Sequence, residues 1–146
     1  MEISSKAFNH NENIPAKYTC DGEGINPPLT IIGTPQDAKS LALIVDDPDA
    51  PSGTWVHWTV FNIDQSTQEI PENSIPQGAT EGLTSSNSQE YGGPCPPSGT
   101  HRYFFKIYAL DTTIDLDETA KPYDIEQAME GHILDQAEFI GLYSRE

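Results

Sequence analysis

Residues 46–63, DDPDAPSGTWVHWTVFNI, put three carboxylates and two prolines into six positions, then a glycine turn, then a histidine between two tryptophans. A carboxylate beside an imidazole orients the ring and favours its protonated form. Prolines stiffen the backbone that carries the acids. If the segment ending at Asp47 and the segment carrying His57 are neighbouring strands, the turn between them aims carboxylates at that histidine. A second reactive group lies at 91–103, YGGPCPPSGTHRY. It supplies His101 and Tyr103, preceded by a stretch stiffened by Pro94, Pro96 and Pro97 and opened by Gly92 and Gly93, where backbone N–H groups can approach a ligand. Imidazole, phenol, carboxylate and backbone amides, walled by Trp55, suit a small anion such as phosphate, held by neutral donors and cationic histidine in place of Lys and Arg clusters.

Strands must position these groups. SLALIVDD (40–47) is a nearly continuous apolar run and reads as a strand buried on both faces. TWVHWTVFNI (54–63) is rich in aromatic and β-branched residues and reads as a second strand. Strict alternation places Trp55, His57, Thr59 and Phe61 on one of its faces and Val56, Trp58 and Val60 on the other. HRYFFKIYALD (101–111) is a third strand, while KYTCDG (17–22) and PLTIIG (28–33) are shorter candidates. Residues 64–82 and 83–100 read as long loops. One helix is expected near the C-terminus. Pro122 precedes it, Asp124 is its N-cap with Gln127 three residues on, and Ile125, Ala128, Met129, His132, Ile133, Ala137 and Ile140 recur at helical spacing, with a break possible at Gly131. Many strands followed by one helix favour a mostly-β, sandwich-like architecture over βαβ winding.

Bulk composition narrows the function classes. The 146 residues carry 23 acids and 7 bases, a net charge of −16, which repels nucleic acid and anionic lipid surfaces. Length fits one domain over 1–146. The N-terminus lacks a basic and apolar leader, and the apolar runs are far shorter than the ~20 residues of a membrane-crossing helix, so a cytoplasmic protein without stable membrane insertion is expected. Cys20 and Cys95 have no metal-knuckle spacing; in a reducing cytosol both are expected as thiols, and the alternative, a disulfide between them, would close a long loop worth about 4 kcal/mol.

YTCDGEGINPPL, DPDAPSG…WVHWTVFNI and YGGPCPPSGTHRY together resemble the phosphatidylethanolamine-binding protein family, the Raf-kinase-inhibitor-like proteins, in its bacterial and archaeal branch. The resemblance runs from about Tyr18 to Tyr143. It implies a large antiparallel Greek-key sheet packed on a smaller sheet, with a C-terminal helix near the pocket mouth. It implies a pocket for phosphate-like anions or phospholipid headgroups, walled by Asp47, Pro51, His57, Cys95, Pro96, His101 and Tyr103. It also implies a cis peptide bond at Ala50–Pro51, and supporting roles for Asp49, Trp55 and Arg102, with Arg102 paired to Asp49.

The function these readings favour is a non-catalytic binding or regulatory module for a small anion or phosphorylated ligand, with a protein kinase or other protein as a further partner and a homodimer as one assembly. No cofactor, metal or catalytic residue is assigned. Two alternatives stand beside it. One is a hydrolase or metal-dependent enzyme built on Asp47, His57 and His101, against which no G-x-S-x-G elbow is found. The other is an acidic interaction scaffold with a vestigial pocket.

Overall fold

The structure, a computed structural model, describes residues 1–145. In chain order the strands are β1 (Glu2–Ser4), β2 (Glu12–Asn13), β3 (Leu29–Ile32), β4 (Ser40–Asp47), β5 (Trp55–Ile63), β6 (Glu69–Ile70), β7 (Thr80–Glu81), β8 (His101–Leu110) and β9 (Ile133–Tyr143), with the helix α1 (Pro122–Met129) before the last. They form a six-stranded sheet, β2-β9-β8-β4-β5-β7, and a three-stranded sheet, β1-β3-β6. Within the large sheet β8 returns beside β4 after β5 and β7, a Greek-key order. Its pairings are antiparallel except that of β2 with β9, which is parallel.

β4 lies at the centre because its sequence can be buried on both sides, and all eight of its residues are buried. Leu41, Leu43 and Val45 face the small sheet and pack with Leu29, Ile31, Trp58, Phe105 and Ile107. Ala42 and Ile44 face the other way, against Phe61, Ile114, Ile125 and Met129. Each of these large apolar side chains contributes roughly 1.5–3 kcal/mol by leaving water. The helix therefore covers the face of the large sheet opposite the small sheet. The mostly-β class with two sheets and one C-terminal helix is what the chain adopts, and no α1 residue lines the cavity described below.

Strict alternation fails on β5, for a local reason. Val45 pairs with Trp58 and Asp46 with Val56, so His57 is an extra residue, a β-bulge. The bulge turns the strand over: Val56 joins the cluster under α1, while Trp58 joins the cluster between the sheets. A second register shift falls near Asn62, whose φ of 55° is left-handed, and it separates Phe61 from Ile63 in the same way.

Three further expectations are revised. The helix begins earlier than Asp124: Lys121 is the N-cap and Pro122 the first helical residue, and the Asp124 carboxylate accepts from the Lys121 backbone N–H at 3.0 Å. It ends at Met129, because Gly131 takes φ +82°. The following ILDQAEFIGLY is then a strand along the whole of β8, with Ala137, Phe139, Gly141 and Tyr143 opposite Ile107, Phe105, Tyr103 and His101. Its apolar residues fit both periods, and the open partner edge of β8 decides between them. His132 leaves the expected apolar helix face for an exposed turn, where its Nδ1 lies 2.8 Å from Asp111. Residues 17–22 form no strand. A 3-10 turn, Ala16–Tyr18, is closed by the Thr19 hydroxyl donating to the Ala16 carbonyl, and a Cβ on Gly22 would stand 2.3 Å from that same carbonyl oxygen.

Cys20 and Cys95 are not thiols. They form a disulfide across a sequence separation of 75, with the Cys20 N–H donating to the Pro94 carbonyl at 3.1 Å. Spacing alone hid a contact made by folding the 83–100 loop onto the 3-10 turn. Closing a loop of this length is worth about 4 kcal/mol in the chain-entropy account. Reduction, or the pair Cys20→Ser with Cys95→Ser, is expected to lower the unfolding free energy in denaturant titrations by about 2–4 kcal/mol.

Candidate functional site

In the antiparallel order of the large sheet, the end of β4 and the beginnings of β5 and β8 meet. Asp47, His57, His101 and Tyr103 therefore converge at one end of the sandwich. The turn after β4 and the 83–100 loop wall them in, leaving a cavity of about 440 Å³. Every wall residue expected from the sequence lines it: Asp47, Pro51, His57, Cys95, Pro96, His101 and Tyr103. Trp55 also lines it and stands at the rim with 41% of its surface exposed.

The turn after β4 is built by hydrogen bonds and a fixed φ. The Asp47 carboxylate accepts from the Asp49 N–H at 2.8 Å, and the Gly53 N–H donates to the Ala50 carbonyl at 3.1 Å across Pro51. Proline at the second position of such a turn needs no cis bond, and no cis peptide occurs among the described residues. The expectation of one at Ala50–Pro51 is corrected. Arg102 pairs with Asp49 as anticipated: its backbone N–H, Nε and Nη2 each reach the carboxylate at 2.9 Å. This fork holds the Asp49 carboxyl down at about 2 and ties the acid turn to the first residues of β8.

The carboxylate–imidazole partnership differs from the one anticipated. Asp47 Oδ2 lies 2.6 Å from Nδ1 of His101, and both side chains are buried. His57 instead has its Nδ1 2.9 Å from the Gly92 carbonyl oxygen, and the Gly92 N–H donates back to the His57 carbonyl at 2.8 Å. The bulge offsets His57 from β4, so Asp47 reaches across to β8. Burial pushes the His57 pKa below the ordinary imidazole value, and the Gly92 carbonyl, Asp47 and Asp46 offset only part of that.

Both rings thus use Nδ1 on the protein. Neither Nε2 has a protein hydrogen bond among the described residues, and neither is sealed from solvent. Between the rings sits Tyr103, edge-on to His57 at 5.3 Å and stacked on His101 at 6.4 Å. Its hydroxyl is buried without a hydrogen-bond partner, and burial pushes its pKa well up. A buried donor left unpaired costs about 1–3 kcal/mol.

The Gly92 carbonyl clamp on His57 was not foreseen. The glycines in YGGPCPP flagged the segment, but for its N–H groups. Gly93 has a packing role, since a Cβ there would stand 2.8 Å from the backbone carbon of Thr19. Ser86, also on the wall, comes from a polar loop with no sequence signal.

Two packed β-sheets, with a histidine- and tyrosine-lined cavity at the common end of the central strands, define the class. The profile of the phosphatidylethanolamine-binding protein family matches residues 4–144, and the chain belongs to that family. Among curated relatives, a UPF0098 protein of Methanothermobacter thermautotrophicus is 52% identical over 150 residues, 99% of each chain. A crystal structure of a phosphatidylethanolamine-binding protein homologue from Chlamydia trachomatis superposes with a TM-score of 0.95 at 39% identity, covering 99% of this chain and 97% of that one. YbcL of E. coli, described as a member of the mammalian family, gives 0.93 at 30% identity, covering 99% and 98%.

Two outcomes are expected. Tyr103→Phe removes a buried unpaired hydroxyl and nothing else, so thermal melting should leave stability unchanged or raise it by up to about 1 kcal/mol. Arg102→Ala removes the guanidinium fork but keeps the backbone N–H bond, so the Asp49 carboxyl should rise most of the way toward the ordinary carboxylate range in an NMR titration. In the wild type the Asp49 contribution to stability is present above the unfolded-state pKa and is lost as pH falls toward about 2. The variant should lose most of that acid-limb dependence.

Proposed function

We propose that this protein is a non-catalytic binding module whose cavity holds an anionic group: inorganic phosphate, a phospholipid headgroup, or a phosphoryl group on a larger partner such as a kinase or another phosphoprotein. The observation that carries the reading is the Tyr103 hydroxyl, buried and unpartnered between two imidazoles whose Nε2 atoms are free. A phosphoryl oxygen satisfies the hydroxyl, and each imidazole Nε2 supplies a further hydrogen bond of roughly 0.5–1.5 kcal/mol, or about 1.5–3 kcal/mol where the ring carries its second proton. After association costs, such a set supports micromolar to millimolar binding. The Trp55 and proline rim gives the organic part of a ligand an apolar surface.

Several features argue against chemistry here. Cys95 is held in the disulfide, so it is not a thiolate nucleophile. Ser86 bonds to Thr84 and Ser88 through its hydroxyl and has no histidine base. Asp47 is committed to His101, which removes it from a site shared with His57. The reading includes a cytoplasmic location, against which the Cys20–Cys95 bridge weighs, since disulfides persist mainly in oxidising compartments. Among the described residues no helix is long and apolar enough to cross a membrane.

The test is an NMR titration with inorganic phosphate and with phosphorylethanolamine. Resonances of His57, His101 and Tyr103 should move together. His57→Ala should abolish the shift, and Tyr103→Phe should weaken binding about tenfold, the equivalent of one 1.4 kcal/mol hydrogen bond. Unchanged affinity in both variants would remove the cavity from the function.

A further inference from the structure

Resting on that reading of the cavity, we infer that His57 acts as a hydrogen-bond acceptor that selects protonated phosphoryl groups, P–O–H-bearing monoanions of phosphate or a phosphomonoester, over oxyanions with no proton to give, such as sulfate. The argument begins at the clamp. The Gly92 carbonyl can only accept, so the 2.9 Å contact requires the proton on Nδ1 of His57. The tautomer is thereby fixed, and in the neutral ring Nε2 carries a lone pair. The reciprocal bond from the Gly92 N–H to the His57 carbonyl, 2.8 Å, joins the same two residues and holds the ring in place. Edge-on packing against Tyr103 opposes rotation from the other side.

The charges around the ring point the same way. Asp47 faces His57 from β4, while Asp46, on the opposite face of that strand with Ala42 and Ile44, acts on the ring only through space; His101 and Tyr103 stand on β8, and the neutral Gly92 carbonyl comes from the loop. Among the described residues no lysine or arginine lines the cavity. The two bases on the adjacent strand are already engaged, Arg102 by Asp49 and Lys106 by Asp46. A fully ionised ligand therefore meets the His57 lone pair beside a carboxylate already paired with His101, with no lysine or arginine to offset its charge. It can bind only if the site first takes up a proton, and burial disfavours that proton on His57. A phosphoryl monoanion avoids the difficulty by donating its own O–H to Nε2 while accepting from the Tyr103 hydroxyl. No bond to phosphorus forms or breaks.

The experiment is calorimetric titration of the intact protein with inorganic phosphate and with sulfate, from about pH 5 to about pH 8, in paired buffers of different ionisation enthalpy. Sulfate affinity should fall about tenfold per pH unit above the His57 pKa, with uptake of one proton per ion bound. Phosphate affinity should hold level until its own second ionisation, with no net proton uptake, so that phosphate is preferred by about tenfold or more at neutral pH. Equal affinities with equal pH slopes, or phosphate binding accompanied by the same proton uptake as sulfate, would overturn the inference and leave the anion site standing. Failure of phosphate to bind at any pH would overturn both. His57→Gln places an amide that can donate at every pH, so sulfate binding should become pH-independent and the preference collapse; persistence of the preference in a folded variant would refute the role of His57. If the variant does not fold, the proton count on the wild type decides alone.

Discussion

The site depends on one extra residue in one strand. Without the bulge at His57, β5 would pair in simple alternation, Val56 and Trp58 would share a face, and the ring would turn toward the helix side of the sheet. The bulge lets a histidine enter between a residue of the helix-side core and one of the inter-sheet core. It also carries that residue off the β4 ladder, so the 83–100 loop, through Gly92, supplies the hydrogen bonds the ladder does not. A loop with no strand or helix of its own is thereby held at its glycines by a sheet, and at Cys95 by the 3-10 turn.

A second constraint is electrostatic. The chain carries a net charge of −16, yet the acids at the end of β4 and in the turn after it are paired internally. Asp47 is taken by His101, Asp49 by Arg102 and Asp46 by Lys106. The acid-rich turn therefore presents neighbours already bound to cationic or donor groups, and the cavity's free valences are two imidazole nitrogens and one phenol. Local pairing, set by β8 running beside the end of β4, decides the chemistry more than the overall charge does.

Much of this was legible in the sequence, and the exceptions share a cause. β4 and β8 could be read because one is apolar throughout and the other dense in aromatics, each with a period its environment reinforces. The wall residues could be read as a set only through the family resemblance, whose motifs are long and ordered. The tail was misread because Ile133, Ala137 and Ile140 suit a helix as well as a strand, and only the unfilled edge of β8 distinguishes the two. The face assignment on β5 failed because a bulge leaves no mark in residue type. Asp47 was assigned to the wrong histidine for the same reason: His57 is near it along the chain, while His101 is near it across the sheet. The disulfide lay outside local pattern altogether, since its partners are 75 positions apart.

That covalent bridge also changes what kind of object the polypeptide is. Residues 20–95 form a closed ring containing β3 to β7 and both long connections up to Cys95. A protease that cuts the 64–82 connection opens the ring but releases no fragment. The nicked protein gains only the water of hydrolysis, and its two pieces stay joined through the bridge until a reducing agent opens it.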